Sequence, residues 1–409
     1  MLPVMPSTRA HQSSLAGMIA LAAGIGIGRF VYTPILPPMI QALGLSKSAA
    51  GLIASANFLG YLLGALLAAW LNLPGSRRSW LLGSLAISAI TTTGMGFTQT
   101  RAPFLLLRFV GGGASAFVLV LASAIVLESL AEARRPALSA LHFAGVGVGI
   151  TISAIAAAGL LRVDQPWPTL WFASGGLSLL ATIVVALLLR HAQMRPKQVS
   201  RGPGPAIDRA LLRLIGAYGL FGFGYVITAT FLVAIVRGTP NIRALEPMVW
   251  IIFGLAAVPS VALWTRVATY LDISTTFAVA CAVEACGVLA SVVWPTVIGT
   301  FLATILVGGT FMGVTALGLI RAQALAGGDL RGVLALMTAS FGLGQVIGPI
   351  FAGTLSDRLG SFAVPSGVAA LALLLAAALV RHRPMSDSAG AGRPTQPSDS
   401  PVPASVPRR

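Results

Sequence analysis

Long apolar stretches alternate with short polar breaks along the whole chain, and the stretches have the length of helices, not of strands. Twelve helices are predicted, over residues 14–41, 48–73, 78–98, 102–130, 136–161, 168–190, 209–237, 246–269, 273–294, 296–325, 331–355 and 361–381. Crossing a bilayer core takes roughly 20 helical residues. Residues 361–380 (SFAVPSGVAALALLLAAALV) reach that length without a charge. The breaks carry turn chemistry: Pro74-Gly75-Ser76 before Arg77 and Arg78, Arg134-Arg135-Pro136, Gly238-Thr239-Pro240 and Gly327-Gly328. The longest internal connection, 191–208, is basic and rich in Pro and Gly, which makes it the natural linker between a first half, 14–190, and a second, 209–381. Residues 1–13 form a short N-terminal segment. The tail, 382–409, is rich in Pro, Ser and Ala without periodicity and is expected to be disordered.

Composition agrees with lipid as the solvent. Apolar residues make up 56% and charged residues 9% of the 409 positions, against roughly 25% charged in soluble domains. A soluble fold this poor in charge lacks the polar groups to cover its surface, whereas a bilayer accepts an apolar exterior. The net charge of +16 raises nucleic-acid binding as an alternative. The arginines, however, sit in short clusters between apolar spans, without interleaved aromatics, so that class is set aside. With a cytoplasmic N-terminus, 19 of the 27 basic residues fall on the cytoplasmic side, 6 on the other and two inside spans. The bias places both termini in the cytoplasm of an inner-membrane protein. Residues 1–13 hold a single arginine and the following apolar segment is too long for a signal peptide. Cys281 and Cys286 lie in one span at a spacing that turns them about 140° apart, so they are expected to pack and not to pair.

The two halves resemble each other. Gly26-Ile-Gly28-Arg29 aligns with Gly222-Phe-Gly224-Tyr225 at an offset of 196, and Val110-Gly111-Gly112 with Val307-Gly308-Gly309 at 197. Gly145-Val-Gly147 aligns with Gly342-Leu-Gly344, again at 197. Three matches in order at one offset indicate a repeat. Parallel repeats of six helices, with a substrate site near the midplane, are one of the transporter layouts.

The segment Gly24-Ile-Gly-Ile-Gly-Arg29-Phe-Val-Tyr32-Thr-Pro34-Ile-Leu-Pro37 resembles the opening signature of the YbfB/YjiJ-type branch of the major facilitator superfamily and carries most of the resemblance to it. Asn57-Phe-Leu-Gly60-Tyr61-Leu-Leu-Gly64, Leu107-Arg108-Phe-Val-Gly111-Gly-Gly and Leu141-His142-Phe-Ala-Gly145-Val-Gly147-Val-Gly149 add to it. It implies an all-α membrane protein of twelve transmembrane helices in two pseudo-symmetric six-helix bundles, working by alternating access without a cofactor. The superfamily's Gly-x-x-x-Asp-Arg-x-Gly-Arg motif after helix 2 is degenerate here: Asn72-Leu-Pro-Gly75-Ser-Arg77-Arg78 lacks the Asp. A similar fragment, Gly353-Thr-Leu-Ser-Asp357-Arg358-Leu-Gly360, follows helix 11 instead, which leaves the cytoplasmic latch unassigned.

Three charges lie inside spans, where each costs at least about 2.5 kcal/mol at the centre of an isolated helix: Arg29, Arg108 and Glu284. Arg29 follows a Gly-x-Gly run, and Pro34 and Pro37 remove two backbone donors beyond it, so helix 1 is expected to kink. Arg29, Tyr32 and Thr33 share a face that is expected to line a substrate cavity. The competing reading of Arg29 is a structural arginine bonded to nearby carbonyls. Arg108 has the small neighbours Gly112 and Ser115, and the family resemblance associates its position with the cavity. Its competing reading is snorkelling toward the interface near Pro103. In the second half Tyr225 and Ile305 align with the two arginines. Two arginines with few acids favour an anionic or strongly polarised small substrate.

Glu284 is the candidate for proton coupling, against a protonated structural or dimer-facing role. Asn57, Tyr61, Tyr225 and Gln345 are further cavity candidates. His142 reads as a satisfied histidine near the end of helix 5. The small-residue ridges Gly145/Gly149 and Gly344/Gly348 are expected to serve close packing at a rocking interface, and Gly112 to serve packing on helix 4.

Other classes find little support. The two lysines, Lys47 and Lys197, follow no phosphate-binding Gly run, and no His, Cys, Asp and Glu spacing suits a metal or an enzyme centre. The expectation is a monomeric, proton-coupled secondary transporter of a small organic solute. A non-transporting sensor or scaffold on the same fold is the alternative.

Overall fold

A computed structural model of the protein describes residues 6–70, 75–190, 208–326 and 330–381. Apart from Asp208, the linker 191–208 lies outside the described residues. So do the tail 382–409, residues 72–74 of the degenerate motif and the Gly327-Gly328 break. Among the described residues eleven helices are long and apolar enough to cross a bilayer, and one bent pair supplies a twelfth. In chain order they are α1 (Ala10–Leu43), α2 (Lys47–Ala68), α3 (Arg77–Phe97), α4 (Arg101–Glu132), α5 (Pro136–Arg162) and α6 (Trp167–Leu188), then α7 (Arg209–Arg237), α8 (Pro240–Ala257 with Ser260–Val267), α9 (Ile273–Val293), α10 (Val297–Ala324), α11 (Leu330–Leu359) and α12 (Ala363–Arg381). Four helices begin where a polar side chain takes up free N–H groups. Ser76 caps α3, Asp208 caps α7 at 2.7 Å from Leu211 N, Asp272 caps α9 and Thr296 caps α10. The 46° bend of α8 falls at Val258-Pro259, where proline lacks the N–H for Leu255 O and crowds the preceding turn.

Side chains sort as lipid requires. Leu179, Leu180, Ile183 and Leu187 on α6 and Leu371, Leu374 and Leu375 on α12 point outward, and the interior holds aromatics and small residues. The glycine ridges lie inside each half. Gly145 and Gly149 of α5 press on the backbone of Met18 and Ala22 in α1, and Gly344 and Gly348 of α11 press on Gly219 and Phe223 in α7. The seams between halves use other residues. On the α2–α11 seam Gly51 meets the Pro349 carbonyl, Ser55 Oγ donates to Val346 O at 2.7 Å, and Gly342 meets Leu62. On the α5–α8 seam Gly147 meets Gly254 and Val258.

Equivalent positions of α1 and α7 touch each other. Thr33 Oγ1 donates to Ala229 O at 2.8 Å, and Arg237 Nη2 donates to Gln41 Oε1 at 2.6 Å; each pair is 196 residues apart. Glycine packing keeps the same register. A methyl on Gly112 would overlap Asn57 O, and one on Gly308, 196 residues on, would overlap Phe253 O, itself 196 residues after Asn57. The alignment at 197 on helices 4 and 10 is therefore one residue out of spatial register. Arg108 corresponds to Thr304, fully buried, and Ile305 is 49% exposed.

The bundle end that carries Lys47 is tightly tied. Asp357 accepts from the backbone of Lys47 at 3.0 Å and of Ser48 at 2.8 Å, and so caps the start of α2 from the end of α11. Lys47 Nζ reaches Ser356 O at 3.3 Å, and Arg237 bridges Gln41 and Glu246.

Candidate functional site

The centre of the site is a break in α1 that the sequence causes directly. Residues Ala22–Ile27 form a π-helical turn, with Gly28 N bonding Ala23 O at 2.9 Å and Phe30 N bonding Ile25 O at 3.3 Å. Gly26 lies against the backbone of Val146 and Gly149, where any side chain would collide. Beyond the turn, Pro34 has no N–H for Phe30 O. Thr33 N bonds Phe30 O instead, at 3.2 Å, and this leaves Arg29 O without its usual donor four residues on. Arg108 fills the gap: Nη1 donates to Gly28 O at 3.0 Å and Nη2 to Arg29 O at 2.9 Å.

Arg108 is thus 4% exposed and holds backbone, which excludes snorkelling. A guanidinium fork on two adjacent carbonyls is a strong arrangement, since charge-assisted bonds are roughly twice as strong as neutral ones. Its Cζ also stands 5.1 Å from the Tyr32 ring. Asn57 supports it from α2, donating through Nδ2 to Arg108 O at 2.9 Å. Tyr32 and Thr33 are likewise committed to carbonyls, Tyr32 to Ala50 O at 2.9 Å and Thr33 to Ala229 O.

Arg29 is different. It is 5% exposed, and its Nε and Nη2 have no hydrogen-bond partner. Its Cζ lies 4.4 Å from the Tyr61 ring, 4.6 Å from Phe58 and 5.5 Å from Phe30. Aromatic contacts of this kind stabilise a cation by roughly 0.5–2 kcal/mol, and they hold its faces while one edge stays unbonded. Among the described residues the two ion pairs are Arg77–Glu128 and Arg237–Glu246, and neither involves Arg29 or Arg108.

The second half faces this charge with rings. Tyr225 is nearly parallel to Phe341 (7°) and Phe311 (14°), with centroids 5.8 and 5.7 Å away. Its hydroxyl bonds Gln345 Nε2, and Gln345 Oε1 has no partner. Tyr225 is within electrostatic reach of Arg29, Tyr61 and Glu284. Glu284 is fully buried, with no hydrogen-bond partner for either oxygen, so it does not face a dimer surface. His142 is also fully buried, with Nε2 3.0 Å from Ser123 Oγ.

The structure therefore brings Arg29, Tyr61, Tyr225 and Gln345 around one centre. Arg108, Asn57, Tyr32, Thr33 and Pro34 build the break beneath it, and Pro37 continues α1 beyond. Phe30, Phe58, Phe311 and Phe341 also belong to the site and were not among the expected residues. Phe58 and Tyr61 carried a usable signal, two aromatics three residues apart on one helix. Two apolar grooves of about 530 and 420 Å³ lie elsewhere, between α5 and α6 and between α3 and α4. Among the described residues no group of three or more His, Cys, Asp or Glu is placed to hold a metal. The arrangement can bind and orient a solute.

The family model described as "Uncharacterised MFS-type transporter YbfB" matches residues 21–381. No curated protein matches the chain. Among solved structures, the crystal structure of a mutant of the nucleoside transporter NupG is similar, with a TM-score of 0.67 over 90% of this chain and 98% of that one. At 14% identity this likeness speaks for the fold alone.

Proposed function

Because the chain belongs to the MFS-type transporter family described for YbfB, we propose that it moves a small organic anion across the inner membrane by alternating access, with Arg29 as the anchor. The observation that carries this reading is the buried edge of Arg29, Nε and Nη2, with no hydrogen-bond partner and, among the described residues, no ion pair. A guanidinium cannot shed its charge as a lysine can. Buried and unpaired, it favours an anionic ligand over a neutral one.

Loop charge supports a cytoplasmic location for both termini. The Lys47 end then faces outward, and the cap of Asp357 on α2 belongs to a closed outer gate. One chain contains every residue of this site, which fits a monomer. Glu284 supports proton coupling. Its carboxyl is fully buried within α9 and is in no ion pair among the described residues, and its charge and that of Arg29 both reach Tyr225.

Uptake into proteoliposomes tests both parts. Accumulation of a carboxylated solute should collapse with a protonophore, and Arg29→Gln should lower apparent affinity by about 100-fold, the loss of two charge-assisted bonds. Glu284→Gln should keep solute exchange while losing accumulation driven by a proton gradient. Equal transport of neutral and carboxylated analogues, unchanged by Arg29→Gln, would exclude the anion reading.

A further inference from the structure

The two arginines do not contribute equally, and this limits how many carboxylates a substrate can have held side-on. Arg108 spends both terminal nitrogens on Gly28 O and Arg29 O. Arg108 has only Nε left without a partner, whereas Arg29 keeps both nitrogens of one edge, so one two-nitrogen guanidinium edge is open to a ligand. The unpartnered pair on Arg29 is Nε with Nη2. These form the side-on edge of the guanidinium, whose parallel N–H groups match the two oxygens of a carboxylate.

The guanidinium packs among aromatic rings of the first half, and through Phe30 these meet the rings of the second. Phe30, Phe58 and Tyr61 come from the first half, and Tyr225, Phe311 and Phe341 from the second. Phe30 crosses between them, edge-on to Phe311 at 5.8 Å and 6.5 Å from Trp250. These contacts join opposite halves. Any movement that parts the halves must break them and uncover ring faces beside the Arg29 edge. A planar ring is the body that replaces a lost ring–ring contact with least loss.

We propose that the substrate is an aromatic monocarboxylate, its carboxylate held side-on by Arg29 and its ring lodged between Phe30 and the Tyr225–Phe311–Phe341 stack. This inference rests on the reading of Arg29 as the anchor and adds the charge number and the shape of the ligand. Gln345 Oε1, buried without a partner beside Tyr225, is an acceptor for a hydroxyl on the ring.

The test uses purified full-length protein in proteoliposomes with benzoate, 4-hydroxybenzoate and phenylacetate as labelled probes. Competitors are benzamide (neutral, same shape), cyclohexanecarboxylate (same charge, no flat ring) and phthalate (two charges). At least one labelled acid should be taken up, with cyclohexanecarboxylate and phthalate each about tenfold weaker than benzoate as competitors and benzamide about 100-fold weaker. Phe311→Leu should shrink the preference for benzoate over cyclohexanecarboxylate to about twofold, a ratio that does not depend on how much protein folds. If cyclohexanecarboxylate equals benzoate, and both are lost in Arg29→Gln, the aromatic inference fails while the anion reading stands. If phthalate outcompetes benzoate, the single-charge count fails. If benzamide equals benzoate and Arg29→Gln is silent, the anchor reading itself falls. Failure of all three labelled acids to bind or move overturns the proposal.

Discussion

Helices α1 and α7 occupy equivalent places on the two sides of the molecule and touch at equivalent residues, Thr33 with Ala229 and Gln41 with Arg237. Only α1 is broken. Pro34 removes the donor that Phe30 O needs, whereas Thr230, 196 residues on, supplies its N–H within a helix that runs unbroken from Arg209 to Arg237. The partner helices follow suit. Where α1 has two carbonyls to satisfy, α4 provides Arg108; where α7 has none, α10 provides Thr304, whose hydroxyl bonds Thr300 O in its own helix at 2.7 Å. The repeated scaffold is therefore shared and the chemistry is not. The first half presents a cation on a broken helix, and the second presents flat rings on a continuous one.

Giving α1 the residue of α7 is the strongest way to break that difference. Arg29→Tyr should cost about 100-fold in apparent affinity for a carboxylate in uptake assays, with the thermal transition preserved because Arg29 holds no backbone carbonyl. A large drop in stability instead would mean that Arg29 is structural.

Arg108→Gln should act the other way round. Leaving two buried carbonyls short of donors costs about 3 kcal/mol at 1–3 kcal/mol for each unsatisfied group. In a Pro34→Ala background, where residue 34 regains its N–H for Phe30 O, the penalty should fall to about half. A thermal-melt double-mutant cycle measures this coupling. No coupling would separate the proline from the arginine and undo the causal chain drawn for α1.

The shared scaffold is tested by its glycines. Gly112→Ala and Gly308→Ala should each destabilise by about 2 kcal/mol, since the added methyl meets a carbonyl that cannot move aside. Gly113→Ala and Gly309→Ala have room, with their nearest atoms at 3.6 and 3.9 Å, and should be close to neutral. Equal effects of Gly308→Ala and Gly309→Ala would restore the register of 197.

How far the sequence reaches is clear from particular residues. Apolar periodicity and turn residues located the helices within a few positions, because lipid leaves the backbone few other ways to satisfy itself. Arg29 was legible because a charge inside a span needs a reason. The role of Arg108 was not, since its targets are carbonyls freed on another helix by a proline. Identical glycine letters align Ile305 with Arg108 one residue late, and one residue on a helix is a turn of about 100°, enough to exchange a buried side for a lipid-facing one. Phe311 and Phe341 come from helices α10 and α11 and meet Tyr225 only when the second half is assembled. Asp357 stood out as a motif-like fragment, but its partners lie 310 and 309 residues away at the start of α2.

That cap is the smallest effect expected and the one that sharpens the comparison most, because the second half lends an acid to a helix of the first. The carboxylate accepts from Lys47 N and Ser48 N. Removing an N-cap costs about 1 kcal/mol, which corresponds to about a fivefold change in a two-state equilibrium. Asp357→Ala should therefore open the Lys47 end about fivefold more often. A cysteine at position 346 reports it, since Val346 lies on the same seam opposite Ser55 and bonds there through its carbonyl alone. With Cys281 and Cys286 replaced by Ser, an impermeant maleimide added outside should label Val346→Cys about fivefold faster once Asp357 is gone. Asp357→Asn, whose amide oxygen can still accept one bond, should fall between. Unchanged labelling in both variants would mean that the glycine contact of Gly51 with Pro349 and the Ser55 bond close the seam without the cap, leaving only α1 and α7 as the site of the asymmetry.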